Sequence, residues 1–553
     1  MSYQRNPVTA PTLRGTPLRL FVETLESPLG RSVLRKIASA NGLERFREES
    51  AGGAPPTQVP LPHPPDIPAA PADPLAMAAE VAGDSAGSRE TVARFARAYR
   101  SGEASPVGLA ERLLGAMERL RPLRAFIASD RQDVLAQAEA SERRHREGRP
   151  ISIFDGVPVA VKDEMDQRPY PTSVGTSFLG RVRAETDAAP VARLRAAGAL
   201  LIGKTNMHEI GINPIGINPH YGAARNPWDP KRITGGSSSG SAAAVAAGLC
   251  PVAIGADGGG SIRIPAALCG VVGLKATFGR ISERGVFPLC WTVGHVGPLG
   301  ATVRDVAAAY AIVAGPDPLE PASRAQPHVE LRALSREDLR GVRLGVAWPW
   351  FEDADPAVVR RCRQALQACE AEGATIVEAP SPDLNTVLWT HAVIILSEMA
   401  TSVWPHIEEG VRRFGLDVRA NLAIARFFSA TDYVHALRHR HRLTLEWLEI
   451  MKEVDAVITP TTASTAPEIP EAALPAGESN LQLTDALMRF IRVPNVTGFP
   501  ALSVPAGFDE KGMPVGVQLI GRPWEEALLL RIGLAVEAGA ERRTPREHVR
   551  LIG

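Results

Sequence analysis

With 553 residues, 45% of them apolar, the chain has material for a large buried core and for two or more domains. Lysine plus arginine and aspartate plus glutamate balance at 61 each, which removes any electrostatic case for nucleic acid or an acidic membrane as the main partner. The five cysteines (Cys250, Cys269, Cys290, Cys362 and Cys369) are scattered and form no CxxC pair, so free thiols in a reducing compartment are expected. The opening MSYQRNPVTAPTLRG lacks the apolar core of a signal peptide, and no apolar run approaches the roughly 18–20 residues of a membrane span. The expected location is cytoplasmic, with any membrane contact peripheral.

Leu18–Phe46 places Leu29, Val33, Leu34, Ile37 and Phe46 near helical spacing, with Arg31, Arg35 and Lys36 between them. This predicts an amphipathic helix pair packed on the main body; a membrane-facing helix is the alternative. Ala51–Pro74 is dense in proline and reads as an extended linker or wrapping arm. Helical periodicity starts at Arg89, broken by a Gly/Pro turn near Ser101–Pro106. Val157–Asp163 (VPVAVKD) is apolar and β-branched, a buried strand that ends in Lys162. Helix and strand then alternate: Ala188–Ala197, Ala199–Ile202, Ala242–Ala247, Val252–Ile254. Further strands are predicted at Arg343–Ala347 and Ala456–Thr459, and helices at Pro356–Glu372 and Thr431–Val454. The pattern predicts an α/β fold on one large mixed sheet, with residues 1–88 as a helical arm and linker and 89–553 as the catalytic domain.

Gly235–Ser261 (GGSSSGSAAAVAAGLCPVAIGADGGGS) carries the chemistry. A Gly/Ser turn opens a short helix, a strand returns, and a second Gly-rich turn delivers Ser261, so distant serines can meet. Gly258, Gly259 and Gly260 lack Cβ atoms, and their N–H groups can converge on one small anion, as in an oxyanion hole. Alone, such a stretch is an ordinary turn. Lys162 changes its meaning: a serine hydroxyl needs a base, and a buried lysine can serve as one in its neutral form. Asp257 and Arg263 flank Ser261 and read as an ion pair bracing the turn.

Three motifs mislead. Gly198–Thr205 (GALLIGKT) matches the phosphate-loop pattern, but a helix precedes it and ALLI is itself the strand. Gly236–Gly240 (GSSSG) matches a nucleophile elbow, but the preceding RNPWDPKRIT is polar and proline-broken, not a buried strand. His435 and His439 have helical spacing without the glutamate of a zinc helix, and read as a solvated basic face.

Lys162, the GGSSSG cluster and GADGGGSIRIP together resemble the amidase signature family, over a span from about Arg89 to Pro545. That resemblance implies a large mixed sheet covered by helices on both faces and a Ser–cisSer–Lys triad: Ser261 as nucleophile, Ser237 as bridging serine after a cis peptide, Lys162 as base. The N–H groups of Gly258, Gly259, Gly260 and Ser261 would hold the oxyanion. Ala256 and Ser239 depart from the family pattern without removing a catalytic group. Within the family, LFVETLESPLGRSVLRKIASANGLERF and ESNLQLTDALMRF resemble the plant-type fatty acid amide hydrolases. A small-molecule acyl amide such as an N-acylethanolamine is the implied substrate, with no metal or organic cofactor and a homodimeric assembly. Aryl acylamidase or carbamate-cleaving activity, and a part in an amidotransferase complex, are the other readings within the family.

Overall fold

The computed structural model describes all residues except 1, 2, 4, 6, 7, 9, 65–71, 84–89, 337, 475 and 553. Part of the expected proline-rich linker and the expected boundary at 88–89 therefore lie outside the described residues. In chain order the strands are β1 (Leu13–Arg14), β2 (Phe126–Ala128), β3 (Pro158–Lys162), β4 (Leu200–Thr205), β5 (Val252–Ala256), β6 (Val272–Lys275) and β7 (Val296–Gly300). They continue as β8 (Arg343–Val346), β9 (Thr375–Glu378), β10 (Ala456–Pro460), β11 (Glu478–Ser479), β12 (Ala501–Phe508) and β13 (Pro514–Gly521). β1 and β11 pair with each other; the rest form one eleven-stranded sheet, β2-β4-β3-β5-β7-β6-β12-β13-β10-β8-β9. β3 is parallel to β4 and β5, whereas β5–β7 and β12–β13 are antiparallel, so the sheet is mixed.

The predicted strands and helices lie close to their expected positions. Parallel neighbours need a crossover, usually a helix. Ala189–Ala196 carries the chain from β3 to β4, and Ser239–Ala246 from β4 to β5. The second helix is buried on every side. Its small residues are required: a Cβ on Gly240 would stand 2.1 Å from the Ala125 carbonyl oxygen. The β12–β13 hairpin is absent from the sequence-based expectations. Pro505 and Gly507 interrupt its apolar run, and the register of β12 shifts between them, as a bulge does.

The arm is three helices, Gly15–Glu26, Gly30–Ala40 and Leu43–Glu48, where a pair was expected. Gly42, with φ of 88°, supplies the left-handed turn between the last two. Leu18, Val22, Leu25 and Leu34 bury against Leu416, Ala420 and Ala423 of the body. Leu29 departs from the expected apolar face: it precedes the second helix and is 69% exposed. His435 and His439 correct the solvated-face reading. Phe46 of the arm packs on both rings, and His439 is fully buried, with the Phe46 carbonyl 2.8 Å from His435 Nε2. Among the described residues, no helix is long and apolar enough to cross a membrane.

Leu18 is fully buried under the arm's first helix. Leu18→Ala should cost about 3 kcal/mol through lost burial and a residual cavity. Limited proteolysis should then cut the arm faster than in the wild type, and equal cleavage rates would show that the arm is not held by this contact.

Candidate active site

Lys162 and Ala256 end the adjacent parallel strands β3 and β5, and open α/β sheets present their sites at such strand ends. Lys162 is buried, and its Nζ reaches Ser237 Oγ at 2.8 Å, the Ala256 carbonyl at 3.3 Å and Glu164 Oε2 at 2.6 Å. These three neighbours suit a neutral amine as well as an ammonium. One N–H bond goes to the Ala256 carbonyl, the Ser237 hydroxyl can meet either a second N–H or the lone pair of the amine, and Glu164 stands beside them as an ion-pair contact without hydrogen-bond geometry. Behind the lysine, a small recess is lined by Glu164, Glu283, Cys290 and His295. Burial, with the nearby Glu164, pushes the Glu283 carboxyl up to about 8, so it adds no full second negative charge there at neutral pH.

The Gly236–Ser237 peptide is cis. Ser261 joins Ser237 through the backbone, because the Ser238 N–H donates to the Ser261 carbonyl at 3.2 Å. The Ser261 hydroxyl makes no hydrogen bond among the described residues, so the Lys162–Ser237 contact is formed while a Ser237–Ser261 bond is not.

The turn after β5 is held by one buried carboxylate. Asp257 accepts from Gly260 N–H at 2.6 Å, Ile262 N–H at 3.1 Å, Asn495 Nδ2 at 2.9 Å and Arg263 at 2.9–3.0 Å. Burial alone would raise its pKa. The charge and hydrogen bonds of Arg263, with those of Asn495 and Gly260, outweigh that and hold it well below the carboxylate range. Arg263, equally buried, donates to Gln518 Oε1 and Asn495 Oδ1, each at 2.6 Å. Asp257 and Arg263 thus form the expected pair.

This clamp corrects the expected donor set. Gly260 N–H is taken by Asp257 and cannot serve an oxyanion. The three other amides are aimed by their peptide planes, in which C=O and N–H point oppositely. The Asp257 carbonyl accepts from Asn495 at 3.0 Å, that of Gly258 from His391 Nε2 at 2.8 Å, and that of Gly260 from Ile264 N–H at 2.7 Å. The N–H groups of Gly258, Gly259 and Ser261 therefore point away from those anchors and carry no bond among the described residues.

Glu164, His391 and Asn495 do not stand out in the sequence. Glu164 lies two residues beyond Lys162 in a run of acids, where charge alone says little. His391 is the one histidine in the apolar run WTHAVIIL, and that is the available signal. Lys204, from the phosphate-loop look-alike, is a buried structural lysine, 3.2 Å from Asp163 and bonded to the Met165 carbonyl at 2.6 Å.

An apolar cavity of about 390 Å³ opens beside the turn. Phe21, Leu34 and Ile37 of the arm line one side, and Leu388, Ile395 and Phe427 of the body line another. His391 and Met488, also in its wall, stand where a Cβ on Gly259 would come within 2.9 Å of them. The cavity thus shares part of its wall with the packing of the glycine turn, and its volume falls within the ~300–1,000 Å³ common for small-molecule sites.

The amidase family profile matches residues 109–530. The fatty acid amide hydrolase of Oryza sativa subsp. indica is 40% identical over 97% of this chain and 94% of its own length. A glutamyl-tRNA(Gln) amidotransferase subunit from Chloroflexus aggregans is 35% identical over 82% of this chain and 97% of its own. The native peptide amidase of Stenotrophomonas maltophilia is similar in structure, with a TM-score of 0.71 and 29% identity over 82% of this chain and 98% of its own.

Burial lowers the His391 pKa to about 4, partly offset by its bond to the Gly258 carbonyl. An unfolded chain binds that proton near pH 6.5, so the stability from keeping His391 neutral is present above pH 6.5 and lost as pH falls towards 4. Between pH 7 and pH 5 the loss from this group is about 2 kcal/mol. His391→Gln keeps an N–H donor without the titration, and its urea midpoint should fall less over that interval. Parallel losses in both proteins would remove His391 from the pH response.

Proposed function

The chain belongs to the amidase signature family and is a hydrolase of amide bonds, and from that premise we propose that it cleaves long-chain acyl amides, N-acylethanolamines among them, through Ser261, Ser237 and Lys162. Ser261 Oγ attacks the amide carbonyl while its proton passes to Ser237, whose own proton goes to neutral Lys162. Glu164 then faces the new ammonium as its counter-charge. The oxyanion is held by the N–H groups of Gly258, Gly259 and Ser261; one such donor is typically worth about 3 kcal/mol. The proton returns through Ser237 to the leaving amine as the C–N bond breaks, and water hydrolyses the resulting acyl-serine ester. This leaves a carboxylic acid and restores Ser261.

The long acyl chain rests on one observation: an apolar cavity under the arm shares His391 and Met488 of its wall with the packing of the glycine turn. Each buried methylene contributes about 0.8 kcal/mol, so the cavity favours length. Leu20 and Leu29, exposed on the arm, support a peripheral contact with membrane, where such substrates partition.

A serine-directed fluorophosphonate should label Ser261, and Ser261→Ala should abolish both labelling and turnover. Lys162→Ala should slow labelling by about 10²–10⁴-fold. Full activity in Ser261→Ala would overturn the mechanism.

The acyl assignment has its own test. Phe21→Asn and Ile37→Asn put polar groups in the arm's side of the cavity. Their kcat/KM for a lauroyl amide should fall about tenfold or more, and that for a short aryl amide about twofold or less. Equal losses on both substrates would mean that the acyl chain lies elsewhere.

A further inference from the structure

The cavity wall is mostly apolar, with amide and hydroxyl side chains such as Asn213, Asn480 and Thr484 among it, and of its few charged side chains one is poorly neutralised. Glu478 is paired with Arg14 at 2.7 Å, and Asp417 accepts from Asn213 at 3.3 Å. Arg492 differs. It is nine-tenths buried and lines the cavity, and its nearest carboxylate oxygen, on Asp485, is 3.7 Å away. Its guanidinium meets Asp485 as an ion pair that is longer than an ordinary hydrogen bond.

Asp485 is already in use. It accepts from Arg5 at 2.9 Å and from Arg489 at 3.1 Å. The same two arginines share Asp353, at 2.9 Å and 2.8 Å. Among the described residues three guanidinium groups thus meet two carboxylates, and the longest of these ion pairs is that of Arg492, the arginine among them that lines the cavity. A buried guanidinium stays charged and demands an anion or planar acceptor.

Its position along the cavity says where that anion would be. Ile491, the preceding residue, packs on the turn: its Cγ2 lies 2.3 Å from where a Cβ on Gly260 would be, and its carbonyl accepts from Arg263 at 3.2 Å. Met488, four residues before Arg492 at the end of the preceding helix, packs on Gly259. Arg492 lines the cavity together with His391 and Met488, the two residues that pack on Gly259, so it lies on the glycine-turn side of that cavity.

Building on the acyl-amide reading above, we propose that Arg492 is a specificity-determining residue that receives a carboxylate on the leaving amine, so that N-acyl amino acids are preferred substrates over neutral acyl amides. Water adds across the amide as before: the acyl group leaves as a fatty acid, and the amine leaves as an amino acid carrying the proton returned through Ser237.

The test compares N-lauroylglycine with N-lauroylethanolamine, and benzoylglycine with benzoylethanolamine, in the full-length protein. The carboxylate partner of each pair should have the higher kcat/KM, by about tenfold. Arg492→Gln should lower that carboxylate-to-neutral ratio by about 10–100-fold, and Arg492→Lys should retain part of it. Only the ratio is read, so a general loss of activity does not obscure it. The benzoyl pair reports on Arg492 even if lauroyl amides are not turned over, which would count against the acyl-chain reading alone. Wild-type ratios at or below one overturn the proposal without any variant, as does an equal ratio in wild type and Arg492→Gln. An advantage for the ethanolamide of a dodecanedioic acid monoamide, with its carboxylate at the far end of the acyl chain, would also overturn it.

Discussion

The site depends on the buried ion pair between Asp257 and Arg263. Two opposite charges removed from water are stable only when their remaining hydrogen-bonding capacity is filled, and here it is filled from separate parts of the chain. Asp257 binds the amides of its own turn, while Arg263 ties that turn to Asn495, to the Ile491 carbonyl and to Gln518 on β13. The pair therefore works less as a source of net stability than as a fixture that permits one arrangement of the turn. Its selectivity is visible in the amides: the carboxylate consumes Gly260 N–H, while those of Gly258, Gly259 and Ser261 have no partner among the described residues.

What the sequence disclosed is what the chemistry requires to be contiguous. The Gly/Ser turns, the small-residue helix and the strand that ends at Lys162 lie within short stretches, where residue type and spacing carry the information. The orienting contacts do not. His391 reaches the Gly258 carbonyl across 133 positions, and Asn495 reaches Asp257 across 238. No local pattern separates either residue from an ordinary polar side chain in an apolar segment. His435 and His439 show the converse, since their helix reads as basic and solvated until the arm covers it. Leu29 has the right spacing for a buried face but falls at the junction of two helices, where the periodicity is reset.

The lysine illustrates how a base can be kept inside a protein. Lys162 lies between an acceptor for its N–H, the Ala256 carbonyl, and a hydroxyl, that of Ser237, which can meet its N–H or its lone pair. Glu164 makes the charged state tolerable when it forms, and the raised pKa of Glu283 keeps that corner from gathering a second full negative charge. Lys204, one strand away, shows the alternative: it is equally buried, but it is spent on Asp163 and two backbone carbonyls and offers no lone pair to a reactant.

The arm and the turn are joined by a single helix, Leu384–Ser402. Trp389 Nε1 donates to the Asn41 carbonyl of the arm at 2.9 Å, and His391, two residues on, holds the Gly258 carbonyl. Residues two apart on a helix lie about 200° from each other, so these contacts use opposite faces of the same rod. Leu388, Ile395 and Leu396 of that helix also line the cavity between them. A shift of this helix therefore alters the cover of the cavity and the aim of the Gly259 amide together. That coupling gives the arm a physical role outside the catalytic sheet: the helix that carries it also walls the cavity and orients the glycine turn beside Ser261.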